Sequence, residues 1–218
     1  SEKEFIIEID NKSLTHRPDL WGHWGMAREL SALLRRPLKS DLDSYLGVLG
    51  SVHLGINEQP FCNVEILAGV PASRFMALGF ERVDSRPSPE WLRRRLYYLG
   101  LGSKNSLVDL SNYIMLDTGQ PNHFFDADKI EGNKLQVRFA RAGESLELLV
   151  GGSIELSSSV IGVADAIKPV ALAGIMGGLN CSVTEDTTRI IVESANFDAT
   201  AIRLSTKRHN LLTDASKR

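Results

Sequence analysis

The stretch SNYIMLDTGQPNHFFDADKI, residues 111–130, decides how this chain is read. Its first half continues a helical pattern over 108–116, with Leu110, Tyr113 and Ile114 predicted to face a core and Gly119 placed to cap the helix. Its second half turns through Gly119-Gln120-Pro121, carries His123 in a loop and runs on towards β-like sequence at 134–139. Around that one turn stand a hydroxyl (Ser111), an amide (Asn112), an imidazole (His123) and two carboxylates (Asp126 and Asp128). A second unusual stretch, LAGIMGGLN at 172–180, adds a glycine-rich backbone, and Glu193 follows at the end of an apolar run. One His and one Glu among small residues, without metal-ligand spacing, suit a pocket that reads a small polar group. They do not suit a metal centre or a protease-type triad.

Upstream of that stretch, alternation over 5–9 predicts a short strand, and THRPD at 15–19 predicts a turn because Pro18 fixes its own φ and extends Arg17. Apolar residues at helical spacing from Leu20 to Leu34 predict a helix over 20–36, ended by Pro37, with Arg35 and Arg36 in the last turn where cations suit the dipole. Trp21 and Trp24 read as helix core. Residues 39–60 have weak periodicity and read as a linker, with a possible strand at 47–56. A second unit then begins near Phe61, with strands at 64–68 and 75–83. Ser88-Pro89-Glu90 starts a helix that Gly100 closes. Downstream, β runs are predicted at 134–139, 160–164, 170–173 and 189–192, and Asp198 caps a final helix over 199–208. Strands interleaved with a few helices, without regular βαβ alternation, predict an α+β fold: a layered mixed β-sheet domain preceded by a small strand–helix unit.

Composition narrows the function classes. The 218 residues are 43% hydrophobic and 24% charged, ordinary for a globular chain with a core. A formal net charge of -2 gives no whole-chain attraction to nucleic acid or anionic membrane, so any RNA contact is expected to be local. Cys62 and Cys181 lie far apart in no CxxC pattern, which fits a reducing compartment and argues against a disulfide framework or zinc site. No apolar run reaches membrane-spanning length and no signal peptide is visible. A start at Ser1 without Met and a stop at Lys217-Arg218 are expected of a piece excised from a longer protein.

Each candidate site residue carries a plain structural alternative. His123 can orient a water or a ribose hydroxyl, or simply bond a backbone carbonyl. Ser111 and Asn112 can serve a ligand or donate to neighbouring backbone. Gly174, Gly177 and Gly178 permit close approach of a ligand to backbone N–H groups, or make a tight hairpin turn. They form no Walker A or GxGxxG loop, so a nucleotide site there is not expected. Glu193 belongs at the edge of a core and needs a partner, either a ligand hydroxyl or an arginine such as Arg203. Arg93 to Arg95 and Lys207-Arg208-His209 can touch phosphates or form solvated helix faces.

These stretches, together with NKSLTHRPDLWGHWGMARELSALL (11–34), LAGIMGGLNCSVTEDTT (172–188) and IIVESANFDATAIRLSTKRHNLLTDAS (190–216), resemble the β subunit of bacterial phenylalanyl-tRNA synthetase. The resemblance runs in order over nearly the whole chain and weakens only at 39–61. It implies the end of the subunit's first small domain at 1–40, a linker at 41–60 and the tRNA editing domain at 61–218. It further implies post-transfer editing, the hydrolysis of tyrosine wrongly esterified to the phenylalanine tRNA. Carried over motif by motif, Glu193 would read the tyrosine hydroxyl, helped by backbone at Gly174 and Gly177, with Ala215 lining the same pocket. His123, Ser111 and Asn112 would sit near the terminal adenosine and the scissile ester. The fragment would hold no cofactor or metal, while the parent ligase would use ATP and Mg in the cytoplasm, as a heterotetramer of two α and two β subunits. A non-catalytic tRNA-docking or scaffold module of the same subunit is the competing reading. Two departures stand out: Ser111 replaces a more usual Thr, and Phe124 is bulkier than the usual small residue, which predicts a reshaped pocket wall.

Overall fold

The computed structural model describes residues 5–38 and 61–218. The linker reading of 39–60, with its possible strand at 47–56, lies outside the described residues. Two sheets packed face to face make the core. One has five strands in the order β1 (Asn63–Ile66), β4 (Lys134–Phe139), β7 (Ile161–Ala164), β8 (Pro169–Leu172), β9 (Met176–Gly177). The other has three, β2 (Ala72–Glu81), β10 (Arg189–Phe197) and β3 (His123–Asp126), and a small hairpin pairs β5 (Ser145–Glu147) with β6 (Ser153–Glu155). Among the described residues only β1 and β4 run parallel; every other named pair is antiparallel. The α+β expectation holds.

Side-chain alternation explains the packing. Phe75, Phe125 and Ile191 of the three-stranded sheet meet Leu135, Val137, Ile161, Val163 and Val170 of the five-stranded one. These are the β-branched and aromatic residues that suit a pleated, enclosed surface. The opposite face of the three-stranded sheet presents Phe124 and Ile190 to Leu107 of the helix that precedes β3. A third cluster joins Leu146, Leu148 and Leu156 to Leu172, Ile175 and Ile202.

Among the described residues four α-helices surround the sheets: α1 (His23–Leu34), α2 (Glu90–Tyr98), α3 (Ser106–Thr118) and α4 (Ala199–His209). The caps of α3 and α4 follow the sequence reading. Gly119 closes α3 with φ 78 and its N–H on Met115 O, and Asp198 accepts from Ala201 N at 2.8 Å. Other expectations need correction. Residues 5–9 form no strand; Phe5 is 86% exposed and the alternating segment has no ladder to join. Leu20 and Trp21 belong to a 3₁₀ turn, Pro18–Trp21, because Gly22 takes an extended conformation (φ -129, ψ 154) that interrupts the helical pattern. Trp21 is therefore not in the helix, and both tryptophans are only half-buried. Helix α1 ends at Leu34, where Arg35 adopts φ 52, before Pro37 can act.

On α3 the inward residues are Leu107, Asp109 and Met115, while Leu110 is 41% exposed and Tyr113 lies edge-on to Trp91. The helical phase is shifted because a buried carboxylate, invisible to an apolar count, anchors the first turn. Asp109 accepts from Ser88 Oγ (2.5 Å), Ser103 Oγ (2.5 Å) and Lys104 N (2.9 Å). Ser88, read as an α2 cap, spends its hydroxyl there instead. Removing a buried acceptor strands its donors, so Asp109→Ala is expected to cost about 3 kcal/mol. Urea unfolding at pH 7 measures that loss, and a change under about 1 kcal/mol would show that the donors find other partners.

Candidate functional site

His123 and Glu193 face each other across neighbouring strands. His123 opens β3, Glu193 lies in β10, and the antiparallel register pairs them directly. Alternation puts both on the inner face, beside Phe125 and Ile191, but at the end of the sheet where the apolar filling stops. The neighbouring turn of the five-stranded sheet, from β8 into β9, supplies the opposite wall. Together they enclose a cavity of about 700 Å³ lined by His123, Glu193, Gly174, Gly177 and Ala215 among others. Five of the seven candidate residues thus converge on one space although they are spread over 93 positions of sequence, from 123 to 215.

Local backbone explains the fit. Gly174 has φ 65, and a side chain on it would press Ile202 and Phe197 at 3.1 Å. Gly177 is required for a different reason: a Cβ there would overlap the His123 ring, reaching Nε2 at 2.6 Å and Leu149 Cδ1 at 2.9 Å. The imidazole is seated directly on glycine backbone. It also packs edge-on to Phe125, with ring centroids 4.5 Å apart at 78°.

The electrostatics of both groups are set by burial. Glu193 is 7% exposed and, among the described residues, forms no ion pair or hydrogen bond through its carboxyl. Burial pushes its pKa up to about 8. The ion-pair alternative with Arg203 is not realised, since Arg203 sits exposed on α4. His123 keeps some exposed surface as a residue, but its Nε2 is enclosed without a partner, and burial lowers its pKa to about 4. Near neutral pH both groups are therefore uncharged, one carrying an acid proton and the other a free nitrogen position. A neutral carboxyl and a neutral imidazole facing one another can offer hydrogen-bond donors and acceptors to an uncharged group.

The remaining candidates are placed elsewhere. Ser111 and Asn112 do not line the cavity. Ser111 Oγ donates to Asn122 Oδ1 (2.8 Å), and Asn122 Nδ2 donates back to Ser111 O (3.1 Å). Asn122 does line the cavity, so Ser111 stands one residue behind it. Asp126 is engaged by Thr187 Oγ1 (2.7 Å) and Lys129 (3.2 Å), and Asp128 by Arg189 (2.7 Å). Phe124 is buried on the opposite face of the sheet against Leu107 and does not reshape the pocket wall, because alternation turns it away from its neighbour His123. His123 itself starts a strand rather than sitting in a loop.

Two walls were not legible as site residues. One is the N-terminal turn, where Thr15, His16, Pro18 and Asp19 reach the cavity; the other is Ser216–Arg218 at the far end of the described chain. Thr213 Oγ1 donates to Ile175 O at 2.9 Å and ties that end to the β8–β9 turn. The THRPD motif signalled only a turn, and nothing in its spacing relates residue 16 to residue 193. Among the described residues no group of three or more His, Cys, Asp or Glu side chains is arranged to hold a metal ion, and no helix is long and apolar enough to cross a membrane.

Comparison with known proteins gives consistent names. A family profile described as B3/4 domain matches residues 71–218. A phenylalanine–tRNA ligase β subunit of Solibacter usitatus is 42% identical over 219 residues, covering 100% of this chain and 27% of the relative. The protein of the same name from Leptospira interrogans is 40% identical over 219 residues, covering 99% of this chain and 26% of the relative. The chain spans about a quarter of the length of these relatives. A crystal structure of an N-terminal fragment of the phenylalanyl-tRNA synthetase β-subunit from Pyrococcus horikoshii aligns with TM-score 0.47 and 16% identity, over 92% of this chain and 59% of that one.

Proposed function

Since the chain belongs to the B3/4 domain family, we propose that its cavity is the post-transfer editing site of a phenylalanine–tRNA ligase, hydrolysing tyrosine wrongly esterified to the phenylalanine tRNA. The observation that carries this reading is the unpartnered, buried Glu193 opposite His123 in the wall of the cavity. Tyrosine and phenylalanine differ by one hydroxyl, and an apolar pocket rejects an added hydroxyl only weakly. A pocket built around a buried hydrogen-bonding group inverts that preference, because phenylalanine would leave the group unsatisfied. Protonated Glu193 can donate a hydrogen bond to the phenolic oxygen or accept one from the phenolic O–H, which the ring of phenylalanine cannot match.

The chemistry needs little beyond placement. Water adds to the ester carbonyl carbon, the carbon–ribose oxygen bond breaks, and the water's proton ends on the ribose oxygen. An aminoacyl ester is already activated, so orientation and stabilisation of the developing oxyanion account for the rate without a covalent nucleophile. Neutral His123 lines the cavity and is placed to orient the water or the ribose hydroxyl, with Asn122 alongside and Ser111 holding Asn122. In this reading the parent enzyme pairs β with α subunits, two of each, binds the tRNA, and uses ATP and Mg for charging at a separate site in the cytoplasm.

Deacylation of tyrosyl- and phenylalanyl-tRNA by the full αβ enzyme tests the proposal. Wild type is expected to release tyrosine selectively. His123→Ala should lower the rate about a hundredfold, and Glu193→Ala should erase the preference for tyrosine over phenylalanine. Unchanged tyrosine release in both variants would move the chemistry elsewhere and leave this unit a docking scaffold.

A further inference from the structure

The cavity is braced from outside the family-matched region. The 3₁₀ turn Pro18–Trp21 and the first turn of α1 are folded against one another so closely that a Cβ on Gly25 would overlap the Asp19 carbonyl. The same corner then meets the loop that delivers His123. Gly22 is buried, and a Cβ on it would overlap Gly119 N and come within 2.8 Å of Gly119 Cα. Across the contact, a Cβ on Gly119 would stand 3.0 Å from Pro18 O, and Gly119 has φ 78, which already favours glycine.

The loop that follows, Gly119-Gln120-Pro121-Asn122, is short and held at both ends. Gln120 Nε2 donates to Ala195 O at 3.1 Å, and Asn122 is clamped by Ser111. A displacement of Gly119 therefore travels to Asn122 and His123. The turn also grips the other cavity wall: Arg218 Nη2 donates to Trp21 O at 3.2 Å, with the guanidinium 5.7 Å from the Trp21 ring centre. His23 Nδ1 lies 3.5 Å from Asp117 Oδ1, fixing α1 to the end of α3.

We propose that Gly22 and Gly25 are positioning residues for the site: by having no side chains they let the N-terminal corner seat on Gly119, and that seat sets where Asn122 and His123 stand in the cavity. The proposal deepens the editing reading and rests on it for the reaction. The positioning itself is a claim about the fold. It differs from a general structural role in that its effect is confined to the 119–126 segment. It makes a unit outside the family-matched residues part of what determines turnover.

The test uses the full-length β subunit in its native assembly, with Gly22→Ala as the mild variant and Gly25→Ala as the severe one. Amide hydrogen exchange followed by mass spectrometry is expected to speed up about tenfold in peptides spanning 119–126, with the 145–155 hairpin unchanged as an internal reference. In the same protein, kcat for tyrosyl-tRNA hydrolysis should fall about tenfold while KM for the tRNA stays within about twofold. Exchange that is unchanged at 119–126, or faster everywhere, overturns the positioning role. The local exchange effect in the variants, together with a wild-type enzyme that never hydrolyses the tyrosyl ester, would remove the editing reading and leave the positioning intact.

Discussion

Alanine at Gly177 is expected to cut tyrosyl-ester hydrolysis about a hundredfold in a protein that remains folded, since a misplacement of about 1 Å at a reacting group is enough for that loss. A Cβ at this position would occupy the space of the His123 ring and approach Leu149 Cδ1 at 2.9 Å. Both neighbours are side chains, so the structure can relieve the overlap by turning the imidazole out of its seat without moving backbone. The native φ of Gly177 is not in the left-handed region, and alanine there also restricts the unfolded chain, which offsets part of the packing cost. The melting temperature should therefore move by only a few degrees, roughly 1 kcal/mol. Gly174→Ala makes the informative contrast, because its φ of 65 adds backbone strain and both stability and activity should suffer. Single-turnover deacylation and calorimetry on the two variants separate the cases. Normal turnover in Gly177→Ala would mean that His123 acts from some other position.

Glu193→Gln is expected to raise stability at pH 8 by several kcal/mol while changing it little at pH 4. Burial lifts the Glu193 pKa from 4.5 to about 8. Between those values the folded protein holds a proton that the unfolded chain has already released, so stability falls as pH rises through the window. The full span corresponds to roughly 5 kcal/mol, which Gln avoids because it never ionises. His123 works in the opposite sense. Its pKa is lowered from 6.5 to about 4, so the unfolded chain gains a proton first and stability falls as pH drops through that interval. Below about pH 6.5 the two slopes oppose one another, and above it only the Glu193 slope remains. Denaturant unfolding from pH 4 to pH 9 resolves this. A stability difference between Gln and wild type that does not grow with pH would show that Glu193 has found a cationic partner or water. The same ionisation predicts that selectivity for tyrosine weakens above about pH 8, as the donor proton is lost.

Much of this arrangement could be read from local pattern because it is local. Gly119 and Asp198 are cap residues whose chemistry is decided within four positions, and both close or open their helices as expected. The β runs at 134–139 and 189–192 rest on branched and aromatic residues that suit a two-sided core. Errors came where long-range partners decide. The segment at 5–9 alternates like a strand but pairs with no strand among the described residues, and α3 is rotated by Asp109, whose partners Ser88 and Ser103 are supplied from before the helix. Alternation also determines which of His123 and Phe124 enters the cavity, and it does so only once β3 is known to be a strand paired with β10. Glu193 and His123 were each legible as candidate groups, with Arg203 or a backbone carbonyl as their plain alternatives; that they face one another follows from register alone. The contribution of 15–19 and 216–218 could not be anticipated, since no periodicity links the two ends of a cavity wall.

The contact between Trp21 and Arg218 joins residues 197 positions apart. A cavity closed in this way disappears whenever residues 15–38 detach from the sheets, so any ligand that fills it opposes that local opening by mass action. At a hundred times its dissociation constant such a ligand contributes about 2.7 kcal/mol to the closed form. Occupancy of the site would then be legible far from it, as slowed proteolysis of the N-terminal helix.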